Sequence, residues 1–320
     1  MAPIHCSIII VNWNSWELLA LCLEALARQT NKGFKVYVAD NASESPPPAE
    51  IFSILPDLNY IQNDNNIGFA AANNTLIEQA RDAQWTVLLN PDTCPEPDWI
   101  AQLLDATKRY TDYQAYSSRL VQYDNHELLD GDGDEYHVSG LAWRKGFNKR
   151  YSERVTPTEV FSPCAAAAMY RTDVLLELGG FDEDFFCYFE DVDLGFRLRL
   201  AGHKCLLIPS AVVYHVGSAT TGGQQSDFSV YYGHRNLVWT FVKNMPGLLF
   251  WLFLPVHILL NIISLFWFIF KGQGRVILRS KRDALARLPR MLRKRKAIQV
   301  HRVASISALW RIMNKSIFHK

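Results

Sequence analysis

The sequence predicts an α/β protein on an open, mostly parallel sheet with flanking helices, continued by an apolar helical segment and a basic tail. Three observations predict it. Compact apolar runs alternate with helix-period segments as far as Leu89, the pitch of strand–helix–strand units. Asn12, Asp40 and Asp92 stand where those runs end, and in open α/β sheets ligands sit beyond the carboxyl ends of the strands. Finally, residues 247–270 form one long apolar run, and a cation-rich stretch follows it.

The elements follow in order. Cys6–Val11 is an Ile-rich run that suits a strand buried on both faces. Residues 16–28 carry Leu19, Leu23 and Leu26 at helical spacing. Phe34–Ala39 is the next strand, ending at Asp40 and Asn41, and the prolines of 45–48 break the chain. Leu58–Gln62 is a third strand, 70–84 is helical, and Trp85–Leu89 is a fourth strand leading into Asn90-Pro91-Asp92. From Asp124 to Glu159 no periodicity is legible. The string Asp130-Gly131-Asp132-Gly133-Asp134 lacks the remaining ligands and terminal Glu of a calcium loop, so a solvated or substrate-covering loop is expected. A helix ends at Gly179-Gly180. A second begins at the acids Glu190, Asp191 and Asp193, where negative charge favours the helix dipole. Leu194, Leu198 and Ala201 form its apolar stripe, and Asp193 is expected to be structural.

The chain has 320 residues, a formal net charge of +1 and about half apolar residues, which allows a sizeable core and gives no nucleic-acid signature. Its six cysteines lack metal-ligand spacing, and a reduced, cytosolic setting is expected. The stretch 271–302 is densely basic with Asp283 as its only acid, which points to an anionic partner. The run 247–270 is about long enough to span a bilayer, interrupted by Pro255, His257, Asn261 and Ser264. A single crossing would put the basic tail outside, against the positive-inside rule. Pro255 is expected to break the run into pieces too short to span. The expectation is therefore a re-entrant hairpin or an in-plane helix at the cytoplasmic face of the inner membrane, with the tail on anionic headgroups.

Taken together, the polar strand ends and the acid pair suit sugar transfer from a nucleoside diphosphate. That reaction needs a slot for the nucleotide, a divalent cation on the leaving diphosphate and a carboxylate base for the acceptor hydroxyl. The pieces Ser7–Asn14, Val38–Ser43, Asn66–Asn74, Leu89–Thr93, Gly179–Glu183 with Phe189–Leu194, and Tyr214-His215 occur in one order over roughly residues 5–217. In that order they resemble the family 2 inverting glycosyltransferases of GT-A (Rossmann-like) fold, and within them the bacterial rhamnosyltransferase-like members.

The resemblance implies roles. Val11, Asn12 and Asn14 would line the nucleotide site, Asp40 would bond the base, and Asn41 lies beside it. Asn66 and Gly68 would shape the nucleotide-sugar pocket. Asp92 and His215 would hold Mg²⁺ or Mn²⁺, Asp191 would be the general base, and Glu190 would contact the acceptor. The alternative roles are a turn cap through Ser43 for Asp40 and backbone satisfaction within a helix for Asn73 and Asn74. The first acid of the family's D-x-D element is replaced by Asn90. The Q-x-x-R-W element of processive synthases is absent, which favours single transfers. The implied layout is a GT-A domain at 1–225, a membrane-associated helical segment at 226–270 and a basic tail at 271–320. The implied reaction moves rhamnose from dTDP-rhamnose to a lipid-linked or cell-surface glycan. A UDP-hexose donor, or a silent nucleotide-sugar binder, are the alternatives.

Overall fold

Cys6–Asn12 (β1) is buried at every position, with three consecutive isoleucines that suit a pleated strand covered on both faces. It lies inside the sheet for that reason. The other strands are Phe34–Asp40 (β2), Asn59–Gln62 (β3), Trp85–Leu89 (β4), Thr93–Pro95 (β5), Ala115–Gln122 (β6), Leu129–Gly131 (β7), Asp134–Tyr136 (β8), Ala142–Arg144 (β9), Thr158–Val160 (β10), Ala167–Arg171 (β11) and Cys205–His215 (β12). The computed structural model describes residues 6–152, 156–217, 223 and 225–316.

The main sheet runs in the order β10-β12-β6-β11-β4-β1-β2-β3, with β5 added to β12 and β7 to β6. The half made of β4, β1, β2 and β3 is parallel, as the alternating pattern requires. The other half is mixed. β11 runs antiparallel between β4 and β6, and β12 pairs parallel with β6 but antiparallel with β5 and β10. The sheet is thus less parallel than expected, because the chain returns through β11 directly beside β4 instead of through another crossover.

The helices are Trp16–Ala27 (α1), Glu50–Ile54 (α2), Phe69–Gln79 (α3), Trp99–Arg109 (α4), Thr172–Glu177 (α5), Glu190–Leu200 (α6), Asp227–Asn244 (α7), Gly247–Phe270 (α8), Gly274–Ala286 (α9), Leu288–Val300 (α10) and Ile306–Ile312 (α11). Two apolar clusters cover the two faces of the sheet, one with α1 and α4 and one with α3, α5 and α6. A third joins Tyr136, Phe161 and Phe196 to residues of α7–α11. The C-terminal helices therefore share a core with the sheet-bearing part.

The basic segment is not an extended tail. Within it, Lys294 pairs with Asp182 and Asp184, Arg290 reaches Asp184 at 2.5 Å, and Arg295 donates to the carbonyls of Val242 and Met245. The apolar segment also departs from expectation, because α8 runs unbroken through Pro255 and forms no hairpin. Proline removes one N–H and crowds the carbonyl four residues earlier. Here that carbonyl belongs to Trp251, on the outward side of the helix, and the turns on both sides remain helical. The polar interruptions turn inward instead. His257 is buried and donates from Nδ1 to the carbonyl of Ser139 at 2.8 Å, and Asn261 accepts from Lys281 at 2.5 Å. The outward face keeps Trp251, Phe266 and Phe270 at 69%, 65% and 86% exposure.

α6 is buried along nearly its whole length, charges included. Asp193, fully buried, is met by Arg197 Nε at 2.8 Å, Lys243 Nζ at 2.7 Å and Asn244 Nδ2 at 2.7 Å. Arg197 also donates to the carbonyls of Leu178 and Gly180. Removing one member of such a cluster strands the others without a counter-charge. Asp193→Ala is therefore expected to lower stability by about 3–5 kcal/mol in urea unfolding. A loss under about 1 kcal/mol would show that the cluster carries little of the stability.

Candidate active site

The carboxyl ends of β1, β2 and β4 open onto a cleft of about 350 Å³. Val11, Asn41, Asn66, Asp92, Glu190, Asp191 and His215 all line it. Asn12, Asp40 and Gly68 are buried behind the lining, and Asn14 is exposed outside it. Asn12 donates to Asp40 Oδ1 at 3.0 Å, and Ser43 closes a turn on Asp40 through its backbone N–H (3.0 Å) and its hydroxyl (2.6 Å). The turn-capping bonds considered for Asp40 are thus present. Asn14 ties the same loops together, its N–H donating to Ser43 Oγ at 2.7 Å and its Oδ1 accepting from Glu44. Asn41 Oδ1 accepts from Asn63 and from the N–H of Ile67, while its Nδ2 donates to Asn66 Oδ1 at 2.8 Å. Asn66 Oδ1 also accepts from the N–H of Gly68. Gly68 has φ 87°, and a Cβ there would lie 2.5 Å from the ring of Phe186. The close approach that this glycine permits is to Phe186. Asn73 and Asn74 bond backbone carbonyls, the latter linking α3 to Phe181.

One end of the cleft is built around His215, at the end of β12. Its Nδ1 lies 2.6 Å from Asp130 Oδ2, and its Nε2 faces Asp92 Oδ1 at 3.3 Å. Nε2 is buried and has no aligned hydrogen-bond partner among the described residues. Burial disfavours the charged imidazole, but Asp130 and Asp92 outweigh it and raise the pKa of His215. Burial works against both carboxylates too, yet His215 holds each below the usual aspartate range. A ring nitrogen with no partner, facing a carboxylate and oriented from behind by a second carboxylate, is the donor set of a metal ligand pair. These residues fit a divalent cation. Asn90 lines the same cleft with a buried amide oxygen that has no hydrogen-bond partner among the described residues.

The other end carries the acid pair, delivered by the first turn of α6. Asp191 Oδ1 accepts from its neighbour's N–H, Val192, at 2.8 Å, and Oδ2 from Ala165 at 3.2 Å. Burial raises the pKa of Asp191 above the ordinary value of 3.8, and those N–H bonds oppose it. Glu190 is pushed well up by burial and by Asp191, and among the described residues its Oε2 has no hydrogen-bond partner. A third acid, Asp134, lies close by. Its ligand oxygen, one from Asp191 and the sulfur of Cys164 all lie within 4.8 Å of one another. Burial, then Asp191, raises Asp134 well above the usual range.

Asp130 and Asp134 belong to the segment expected to be a solvated loop. It is instead folded inward. Asp132 is held by Arg119 through two bonds of 2.9 Å, and Asp130 pairs with Arg144. Arg144 lines the cleft, and among the described residues its protein bonds run through Nη1, to Asp130 and His215, leaving Nε and Nη2 for a ligand. Trp13 and Trp143, given no role from sequence, also line it. Alternation of Asp130, Asp132 and Asp134 in the sequence did not mark this, because the chain turns at Gly133 (φ 80°) and their partners Arg119, Arg144 and His215 lie elsewhere in the sequence.

Comparison with known proteins identifies the family and the fold. The family model described as glycosyl transferase family 2 matches residues 7–179. The N-acetylglucosaminyl-diphospho-decaprenol L-rhamnosyltransferase of Mycobacterium tuberculosis is 30% identical over 236 residues, covering 67% of this chain and 77% of the relative. The rhamnosyltransferase WbbL of Escherichia coli K12 is 27% identical over 223 residues, covering 65% and 82%. Among solved structures, GalNAc-T7 with UDP, GalNAc and Mn²⁺ superposes with a TM-score of 0.60 at 15% identity, covering 74% of this chain and 47% of that one. The mixed sheet with its flanking helices is the GT-A fold, and the chain belongs to glycosyl transferase family 2, as a rhamnosyltransferase-like glycosyltransferase.

Proposed function

We propose that this enzyme transfers one sugar per encounter, with inversion, from a nucleoside-diphosphate sugar to a lipid-linked saccharide at the cytoplasmic face of a membrane. The observation that carries the reading is a single cleft holding an Asp–His pair and a raised-pKa acid pair. Asp191 takes the proton of an acceptor hydroxyl, the oxygen attacks the anomeric carbon, and the bond to the diphosphate breaks on the opposite face. Its two backbone N–H bonds fix the orientation of the carboxylate. Glu190, beside it, would accept a hydrogen bond from the acceptor. Asp92 and His215 would hold Mg²⁺ or Mn²⁺, which when bound neutralises the leaving diphosphate. Asp130 fixes the ring of His215, and the open N–H groups of Arg144 are a second positive charge for phosphate. Asn41 and Asn66 would face the nucleotide sugar from the other wall, with Val11 beside them, Asn12, Asp40 and Gly68 shaping that wall from behind and Asn14 from outside it. dTDP-rhamnose is the first donor to try, because the two relatives described above are named rhamnosyltransferases. A lipid diphosphate acceptor is supported by the mycobacterial relative's name and by α8, whose outward face is apolar over 24 residues. That helix, about 36 Å long, would lie in the plane of the interface, with exposed cations such as Arg275, Arg293 and Lys296 available to anionic headgroups.

Nucleotide release from dTDP-, UDP- and GDP-sugars, with lipid-linked acceptor in membrane extract, tests the reaction. One donor is expected to turn over, and Asp191→Asn to lose at least about 100-fold in kcat while still binding that donor. Equal turnover in the variant would remove Asp191 as base.

The base must be ionised, and its folded-state pKa is raised. Activity is therefore expected to fall as pH drops through a value above 3.8. A pH–rate profile whose acid limb lies at or below the ordinary aspartate range would contradict this.

Flotation with liposomes containing anionic lipid is expected to carry the protein upward, and serine at Trp251, Phe266 and Phe270 together to abolish this. Wild-type protein left at the bottom of the gradient would end the membrane reading.

A further inference from the structure

The short turn that delivers the acid pair is built in an unfavourable conformation. Phe186, Tyr188 and Phe189 have φ of 66°, 66° and 67°. None is glycine, and a residue with a Cβ rarely stays in this region unless its surroundings hold it there. Phe186, with ψ −65°, closes a three-residue turn through the N–H of Cys187, which donates to the carbonyl of Phe185 at 2.8 Å. That is the rare, strained form of the γ-turn. Phe189 is the N-cap of α6, so Glu190 and Asp191 take their direction from this turn.

The turn is held from α7. Asn236 is fully buried, and its Nδ2 donates to the carbonyls of Phe185 (2.9 Å), Cys187 (2.9 Å) and Tyr188 (2.7 Å). Arg235 donates to the carbonyls of Asp184 at 3.0 Å and Phe185 at 2.8 Å. Its Nε also donates to Asn236 Oδ1 at 2.9 Å, which fixes the amide so that Nδ2 faces the turn. The remaining carbonyl, of Phe186, accepts from the N–H of Ala70 at the start of α3, where the Phe186 ring rests on Gly68. The turn is thus tied on one side to the helix leading into the apolar segment and on the other to the loop of Asn41 and Asn66.

We propose that Asn236, oriented by Arg235, is the positioning residue of the catalytic turn: its amide holds three left-handed aromatic residues in place and so aims Asp191 at the acceptor. The inference rests on the reading of Asp191 as the base. Without the amide, the turn relaxes toward ordinary backbone angles and the carboxylate leaves its line of attack. A shift of about 1 Å in a reacting group can cost about 100-fold in rate. Asn236 does not line the cleft, and Phe186 keeps its own bond to Ala70 on the nucleotide side, so nucleotide binding is expected to change little.

The test compares Asn236→Ala and Asn236→Asp with wild type in acceptor-dependent turnover and in calorimetric binding of dTDP and UDP with Mn²⁺. The expected result is a kcat lower by about 100-fold with a nucleotide Kd changed less than about 3-fold. A kcat within about 3-fold of wild type overturns the proposal, as does a Kd that weakens in step with kcat. Should neither variant fold, Arg235→Lys carries the same comparison. It keeps the charge but loses the fork that orients Asn236, and a smaller loss of kcat at constant Kd is expected. Wild-type protein that binds nucleotide but turns over no donor counts against the transferase reading. Normal wild-type turnover with an unimpaired Asn236→Ala counts against the clamp alone.

Discussion

The structure depends on burying a charged helix. α6 carries the acid pair at its N-terminus and must sit deep enough for those carboxylates to reach the cleft, yet Asp193, Arg197 and Arg199 lie on the same short helix. Desolvating such groups is costly unless each finds a partner. Asp193 finds Arg197 within the helix and Lys243 and Asn244 on α7, while Arg199 reaches Glu159 and the carbonyls of Phe161 and Val160. Gly195 completes the fit, since a Cβ there would lie 2.0 Å from Ser162 Oγ. The GT-A sheet alone does not satisfy this helix. Half of its counter-charge comes from the C-terminal layer, which is why the two parts share a core.

The cleft separates two electrostatic tasks. At the end of β12, a histidine lies between two acids whose pKa values are held down, a setting that keeps negative charge available to a cation. At the start of α6, acids crowd together under burial, and their pKa values rise. Arg144 lies within electrostatic reach of both groups. One polypeptide thereby keeps carboxylates of different basicity in a single cavity, which leaving-group stabilisation and proton abstraction both require.

What the sequence made legible follows the range of the interactions involved. β1, β2 and β4 were readable because their runs are mostly apolar and bounded by turn residues, and the short β3 because Tyr60 and Ile61 stand just before the turn-forming residues Asn63, Asp64, Asn65 and Asn66. The start of α6 was readable because its acids and apolar stripe lie within three turns. The inward fold of residues 129–144 was not, because the groups that neutralise it are remote: Asp130 meets His215 across 85 positions. The inward partners of the basic segment were hidden for the same reason: Lys294 finds Asp182 and Asp184 across 112 and 110 positions. Pro255 misled differently, because its local cost falls on the outward side of a helix whose inward side is firmly packed. The left-handed aromatics had no signal at all, since no glycine or asparagine marks them.

The inward turn of His257, Asn261 and Ser264 leaves α8 with an uninterrupted apolar exterior. An enzyme resting on a bilayer by such a face does not search a volume for its acceptor. It would diffuse over a sheet in which a lipid substrate is already concentrated, with the cleft held at one height and one tilt. Turnover would then follow the mole fraction of acceptor among the surrounding lipids, and diluting the membrane with inert lipid would slow the reaction while leaving the amounts of enzyme and acceptor per volume unchanged.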